Sequence, residues 1–274
     1  MKTGTDLLGA VAGWLGRADR VTALTGAGIS TESGIPDFRG PNGLWTKDPA
    51  AQRRATIQHY MGSRQARVEA WLMRSEHQSR TVEPNAGHMA LVDLERKGSL
   101  HTLITQNIDS LHQRAGSSAE SVIEIHGSLR DVVCMSCGEH RPMETALERV
   151  RAGEEDPPCT ACGGVLKSAT ISFGQPLVPD VLARAQAAAS ACDVFIAIGS
   201  SLSVFPAAYL PQRALEDGAR LVIVNAQPTR YDARADAVLR GPIGPTLTSL
   251  VALVRTGGRR AGIYEAPARL RRER

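Results

Sequence analysis

The chain has 274 residues, 42% of them hydrophobic and 22% charged, with a formal net charge of +4. Such a composition is that of an ordinary soluble globular protein, long enough to bury one large core with or without an insertion. No apolar run approaches the roughly 20 residues of a membrane span, and so mild a charge argues against nucleic acid as the main ligand.

In chain order, Lys2 followed by LLGAVAGWLG (7–16) weakly mimics a secretory signal. Asp6 and Trp14 fit that reading poorly and no small-residue cleavage site follows, so 6–17 predicts an amphipathic opening helix and a cytoplasmic protein. Next comes a short β-branched run, Val21-Thr-Ala-Leu-Thr25, that breaks into glycines as a strand does before a phosphate-cradling turn. Gly26 and Gly28 are followed by Thr31, however, not by the third glycine of G-x-G-x-x-G. Apolar stretches at 20–25, 101–106, 193–199 and 220–225 predict strands, and 86–97, 109–115, 179–191 and 206–217 predict helices. That alternation predicts an α/β fold, a Rossmann-like doubly wound parallel sheet whose ligands collect at the carboxyl ends of its strands. Gly26, Gln106, Asn107, Gly199, Ser200, Ser201 and Asn225 all fall where a predicted strand stops.

Two regions break the alternation. Residues 41–84 are polar and helical in flavour, and 130–170 carry four of the five cysteines. The expected organisation is therefore a nucleotide-binding domain from 1–40, 85–129 and 171–254. A smaller domain would combine the helical insertion 41–84 with the cysteine module 130–170. Residues 255–274 hold seven arginines and predict a solvated, disordered tail.

Cys134-Met-Ser-Cys137 and Cys159-Thr-Ala-Cys162 are two C-x-x-C knuckles with 21 residues between them. Thiolates so spaced reach one tetrahedral zinc at about 2.3 Å, and four of them leave no open catalytic position. Disulfides and a redox pair are the competing readings. The first lacks a secretory signal and the second does not explain the doubling. A small helix at 143–152 would absorb the long spacing, and Cys192 predicts a small core residue.

Gln106, Asn107 and Asp109 put two carboxamides and an acid directly after a strand, which suits ribose hydroxyls and an amide-bearing group. No phosphate-binding G-x-x-x-x-G-K-[ST] accompanies them. Asp109 can equally cap the following helix. His126, ahead of Gly127 at the end of another apolar stretch, is a candidate general base near neutral pH or a structural histidine.

The order GAGIS (26–30), GIPDFRG (34–40), TQNID (105–109), HGS (126–128), paired C-x-x-C, GSSLSV (199–204) and VN (224–225) resembles the sirtuin family of NAD-dependent protein lysine deacylases, from about Arg20 to about Leu250. The resemblance implies NAD as a consumed co-substrate and one structural zinc. Gly26, Ala27, Gly28 and Ser30 would meet the phosphates. Asp37, Phe38 and Arg39 would belong to a lid, with Phe38 shielding the reactive ribose. Gln106 and Asn107 would hold that ribose, and Ile108 and Asp109 the carboxamide. Gly199, Ser200, Ser201, Asn225 and Ala226 would hold the phosphate and adenosine-ribose side, with Ile243 near adenine. Asn107 and His126 would be the catalytic pair, His126 deprotonating a ribose hydroxyl after the acyl oxygen displaces nicotinamide. An acylated-lysine peptide would lie as a strand between Phe173-Gly174-Gln175 and Ser203-Val204. A protein mono-ADP-ribosyltransferase and a non-catalytic NAD or ADP-ribose sensor are the alternatives. A monomer is expected.

The pattern departs from the family at three places. Gln175 stands where Glu is usual, which puts a preference for basic flanking residues in doubt. Ser200 replaces a common Thr. Trp71-Leu-Met-Arg74 takes the place of the Tyr-x-x-Arg of sirtuins that remove acidic acyl groups. Arg74 could still meet an acyl carboxylate, but it is expected to be a solvated helical arginine, and acetyl the first acyl group.

Overall fold

The computed structural model describes residues 4–78 and 82–255, so the arginine-rich tail beyond 255 lies outside the described residues. Among the described residues, nine strands follow in chain order: β1 (Val21–Thr25), β2 (Leu100–Thr105), β3 (Val122–Glu124), β4 (Gly127–Cys134), β5 (His140–Pro142), β6 (Leu166–Thr170), β7 (Val194–Ile198), β8 (Arg220–Val224) and β9 (Ala237–Leu239). Six of them form one parallel sheet in the order β3-β2-β1-β7-β8-β9. β1 and β7, in its middle, are buried at every residue, as their unbroken VTALT and VFIAI runs require.

Alternate side chains of each central strand feed opposite layers. Ala23, Ile196 and Val222 pack beneath the helices Gly4–Arg17, Ala86–Arg96 and Ile243–Leu253, through Leu15, Leu91 and Leu247 among others. Leu24, Phe195 and Ile223 pack against Pro179–Ser190 and Leu210–Glu216, where Ala185, Ala189 and Ala214 let the helices approach closely. Each large side chain fully buried in these layers stabilises the fold by about 1.5–3 kcal/mol.

The four predicted strands and most of the predicted helices form within a residue or two of the expected places. Two differences have physical causes. Helix 109–115 begins only at Leu111, because Ser110 is left-handed (φ 59°) and Asp109 turns its side chain back to accept from Leu111 N at 3.0 Å. The 206–217 segment splits into a 3-10 turn at Ala207–Tyr209 and a helix at Leu210–Glu216, with Pro211 in its first turn.

A second, antiparallel sheet has the order β5-β4-β6. The helix Met143–Arg151 covers it, packing Met143, Ala146 and Leu147 around Trp71 and Val132. Among the described residues of the 41–84 segment there are four helices, Leu44–Lys47, Ala50–Arg54, Ile57–Gly62 and Arg64–Gln78. Tyr60 ties them to the sheet by donating its hydroxyl hydrogen to Leu166 O at 2.7 Å. Among the described residues, no helix is long and apolar enough to cross a membrane.

Candidate active site

From β1 the chain winds outward through β2 and β3, then returns to β7 on the other side, so the strand order reverses between β1 and β7 while the strands stay parallel. The carboxyl ends at such a switch point leave a crevice where ligands bind. Glycines close it tightly. Gly28 N donates to Gly199 O at 2.8 Å and Gly26 N to Ile198 O at 3.0 Å. Gly199 sits at φ +60°, and a Cβ there would lie 2.5 Å from Ile29 N. A Cβ on Gly28 would lie 2.7 Å from Gly199 Cα. Backbone thus meets backbone at the point where the turn after β1, a 3-10 segment over Ala27–Ser33, leaves the sheet. A cradle without side chains lets a pyrophosphate approach the backbone closely.

Behind the cradle lies a polar network. Asn107 Nδ2 donates to Gly26 O and to Ser30 Oγ, both at 3.2 Å, and Ser30 Oγ passes its own hydrogen to Asp109 Oδ2 at 2.7 Å. Asp109 therefore does both things expected of it: one oxygen caps the helix and the other joins the site. Gln106 Nε2 reaches Ser200 Oγ at 2.9 Å and Thr25 O at 3.3 Å, bridging the ends of β2, β1 and β7. Asn107, Ser30 and Ser200 are buried, so their positions are set by the fold.

His126 lies where β3 gives way to β4. Its Nδ1 is 3.0 Å from Gln106 O. A carbonyl only accepts, so Nδ1 carries the hydrogen and Nε2 keeps its lone pair. No hydrogen bond among the described residues engages Nε2. Burial pushes the His126 pKa below its ordinary value, against a smaller upward pull from the Gln106 carbonyl, so the ring stays neutral at neutral pH. An oriented neutral imidazole with an open Nε2 has the chemistry a general base needs.

The remaining expected site residues form the rim. Asp37 Oδ1 accepts from Gly40 N at 3.0 Å, which folds the 37–44 segment on itself, while Phe38 stays 41% exposed. Arg39 lays its guanidinium over the Trp45 ring at 4.4 Å. Phe173 exchanges backbone hydrogen bonds with Ala55 and Ile57. Gly174, at φ +81°, and Gln175 complete a turn in which Gln175 Oε1 accepts from Ser172 N at 3.3 Å. Ser201 and Ser203 pair their hydroxyls at 2.7 Å, and Val204 follows them. Asn225 Nδ2 donates to Gln227 O at the end of β8, beside exposed Ala226. Ile243 opens the helix Ile243–Leu253 and is buried. Ile108 takes part through its carbonyl, which accepts from Leu129 N at 3.4 Å. Ser30, Gln106, Asn107, Asp109, His126 and Ser200 are thus joined around the crevice, and the others approach it from separate elements.

Several contributors were not picked out from sequence. His88 and His112, both buried, stand with ring centroids 4.9 Å apart beneath the site. Thr25 Oγ1 gives its hydrogen to Thr105 Oγ1 and so accepts from His112 Nε2; Thr105 Oγ1 in turn accepts from Asn107 N at 3.1 Å. His88 Nδ1 accepts from Asn85 N, and Asn85 Nδ2 holds Ile29 O at 2.8 Å and Ser33 Oγ at 2.9 Å. Burial lowers both histidine pKa values, that of His112 to about 3. Arg240 donates to Asn225 O at 2.6 Å. Sequence alone offers one signal for these, His112 three residues beyond TQNID (105–109), and assigns it no role.

In the second sheet the four cysteines come together. The sulfurs of Cys134, Cys137, Cys159 and Cys162 all lie within 4.8 Å of one another, with Cys134–Cys162 at 3.5 Å and Cys137–Cys159 at 3.8 Å. A tetrahedron of sulfurs around zinc has edges of about 3.8 Å, so the set fits a structural zinc. Each knuckle closes on a left-handed glycine, Gly138 (φ 74°) and Gly163 (φ 73°). Cys192 is the small core residue expected: buried, donating to Ala189 O, with a thiol pKa pushed up by burial to about 11.

Arg74 departs from expectation, for it is not solvated. Its guanidinium lies 5.4 Å from the centroid of buried Trp71 and 5.9 Å from that of Tyr60. Nη2 donates to Ser168 Oγ at 2.9 Å, while Nε and Nη1 are buried without a hydrogen-bond partner. Trp71 anchors its helix in the core of the small sheet and carries Arg74 inward with it.

Comparison with known proteins places this geometry. The family model of the Sir2 family matches residues 26–206. The chain is 54% identical over 231 residues to NAD-dependent protein deacetylase 2 of Streptomyces coelicolor, covering 84% of this chain and 96% of that one. It superposes on a solved Sir2 enzyme with a TM-score of 0.81 at 41% identity, covering 91% of this chain and 98% of the other. A Sir2 protein solved with a deacetylated p53 peptide and 3'-O-acetyl ADP-ribose matches with a TM-score of 0.80 at 33% identity, over 89% of this chain and 96% of that one.

Proposed function

The chain belongs to the Sir2 family, and we propose on that footing that it is an NAD-dependent protein lysine deacetylase that releases nicotinamide and transfers the acyl group to ADP-ribose. The observation that carries the reading is His126, its tautomer fixed by Gln106 O and its Nε2 open, next to the Asn107–Ser30–Asp109 network. NAD, when bound, supplies an electrophilic ribose carbon and nicotinamide as the leaving group.

The chain's own residues do the rest. The glycine cradle at Gly26, Ala27 and Gly28 receives the pyrophosphate close against its backbone, with Gly199, Ser200 and Ser201 facing it across the switch point. Gln106 and Asn107 orient the nicotinamide-side ribose, and Ile108 and Asp109 orient the carboxamide. Asn225, Ala226 and Ile243 hold the adenosine end. Asp37, Phe38 and Arg39 cover the site and keep water from the reacting carbon. His126 Nε2 takes a proton from a ribose hydroxyl and thereby readies that oxygen to accept the acyl group. The acylated peptide runs between Phe173-Gly174-Gln175 and Ser203-Val204, read mainly through its backbone. Cys134, Cys137, Cys159 and Cys162 hold one zinc, which fixes the small sheet and takes no part in proton transfer. These roles go with the division into 1–40, 85–129 and 171–254 against 41–84 and 130–170. They also go with a monomer, and with a reducing, cytoplasmic setting that keeps the thiols free to bind metal.

Incubation with NAD and an acetyl-lysine peptide tests the reading, and we expect nicotinamide and deacetylated peptide in equal amounts. Nicotinamide with the acetyl group retained would instead select ADP-ribosyl transfer, and ADP-ribose binding without any turnover would select a sensor.

Buried Arg74 favours a second acyl class. Its unpartnered nitrogens sit beside Ser168, whose hydroxyl pairs with Thr170 at 2.9 Å, and Thr170 is in register with Gly127 next to His126. A buried unpaired guanidinium calls for an anion. An acyl chain ending in carboxylate would supply it, so a succinyl-lysine peptide is expected to be a substrate whose turnover falls in Arg74→Met while acetyl turnover persists.

A further inference from the structure

Three aromatic rings run unbroken from the lid to the peptide wall. Phe38 and Trp45 have centroids 4.8 Å apart, and Trp45 meets Phe173 edge-on at 5.2 Å. Trp45 is built into the lid through its backbone as well: its N–H donates to Phe38 O at 2.9 Å, and that of Leu44 donates to Asp37 O at 2.8 Å. Arg39 lies over the same ring at 4.4 Å. Phe173 is held from the opposite direction, its N–H donating to Ala55 O at 3.1 Å and its carbonyl accepting from Ile57 N at 2.9 Å. Two residues earlier, Ile171 N donates to His126 O at 2.8 Å. The half-buried indole of Trp45 therefore touches both Phe38 in the cover of the reactive ribose and Phe173, on the segment that pairs with His126 through Ile171.

We propose that Trp45 is a positioning residue that couples lid placement to occupancy of the acyl-peptide wall, so that nicotinamide is released only when an acyl-lysine is in place to receive the ribose carbon. The inference rests on the deacetylase reading above and adds a residue to it. A peptide laid against Phe173 fixes that ring, Trp45 packs against the fixed ring, and Phe38 follows because it is stacked on Trp45 and hydrogen-bonded through its carbonyl. With the bridge cut, the lid no longer tracks the peptide and water reaches the site. The side reaction is then hydrolysis: water oxygen bonds to the ribose carbon, the C–N glycosidic bond breaks, nicotinamide leaves neutral and one proton passes to solvent. The products are ADP-ribose and nicotinamide, with the acetyl group untouched.

The test compares wild type, Trp45→Ala and Trp45→Phe with NAD and an acetyl-lysine peptide, following nicotinamide and deacetylated peptide separately. Losing both ring contacts should raise the peptide KM by about tenfold in Trp45→Ala. The ratio of nicotinamide to deacetylated peptide should also rise well above the value of wild type, and Trp45→Phe should bring both back. A purely structural defect would slow the two products equally. An unchanged ratio together with an unchanged peptide KM in Trp45→Ala would overturn the proposal. Fluorescence supplies a readout free of turnover and of any folding defect in the variant. Acetyl-lysine peptide added to wild type holding ADP-ribose should shift the Trp45 emission, seen as the difference from Trp45→Phe, and no shift would also overturn it. Failure of wild type to deacetylate the peptide would sink the deacetylase reading instead, so the two failures are distinct.

Discussion

His126 must be neutral to accept a proton, and its surroundings decide where that holds. Burial depresses its pKa below the ordinary 6.5, so the neutral form persists further into acid than for a free histidine. kcat/KM should therefore be level near neutrality and fall only as pH drops through a value below about 6.5. An acid limb centred above 6.5 would contradict this. Removing the ring with His126→Ala should lower kcat by roughly 10²–10⁴-fold. Asn107→Ala acts differently, because Asn107 also holds Gly26 O and Ser30 Oγ. Its loss should weaken ADP-ribose binding as well as turnover, and calorimetry with ADP-ribose separates the two effects.

Among the elements, the meeting of the β1 and β7 ends is the least tolerant of change. Gly199→Ala must accept a left-handed backbone and a Cβ 2.5 Å from Ile29 N. We expect a loss of about 2–5 kcal/mol in unfolding free energy together with loss of ADP-ribose binding. Denaturant melts and calorimetry check the pair, and a variant that binds normally would show that the interlock does not shape the site. The central strands and their terminal residues were readable because fully buried parallel strands carry continuous apolar runs with glycine or polar stops. β9 and the helix Ile243–Leu253 were not. β9 is only three residues at a sheet edge, and IGPTLTSLVAL contains glycine, proline and two threonines, so tertiary packing of Leu247 and Leu250 and not propensity makes it helical. At the site, Asn107, Asp109 and His126 stood out because polar residues at strand ends are rarely decorative. Trp45 and the His88–His112 pair did not, and Arg74 reads from sequence as a solvated residue, since their significance lies in contacts between distant segments that no local pattern encodes.

On the scale of the whole molecule, the zinc and the buried histidines set the conditions under which the fold holds. The small sheet is short, and its core of Val132, Leu147 and Leu166 is organised around Cys134 and Cys159. Chelation or Cys134→Ser should cost at least about 3 kcal/mol and lower Tm by roughly 6–12 °C, while metal analysis of the intact protein should find zinc. His88 and His112 are buried with depressed pKa values, so the unfolded chain binds protons more readily than the folded one in acid. Their contribution to stability is complete above about pH 6.5 and declines as pH falls from there toward the His112 value of about 3. Melting temperatures measured down this range should drop, and replacing His112 by a neutral residue should flatten the slope. The central claim is that one crevice joins NAD cleavage to removal of an acyl group through His126. Its most direct test is to follow nicotinamide release and peptide mass together, with NAD and an acetyl-lysine peptide, for wild type and His126→Ala. The account predicts loss of the acetyl group matched by nicotinamide in wild type, and deacetylation slowed by at least about 10²-fold in the variant. Deacetylation that stays near the wild-type rate in His126→Ala, or that proceeds without NAD, would contradict it.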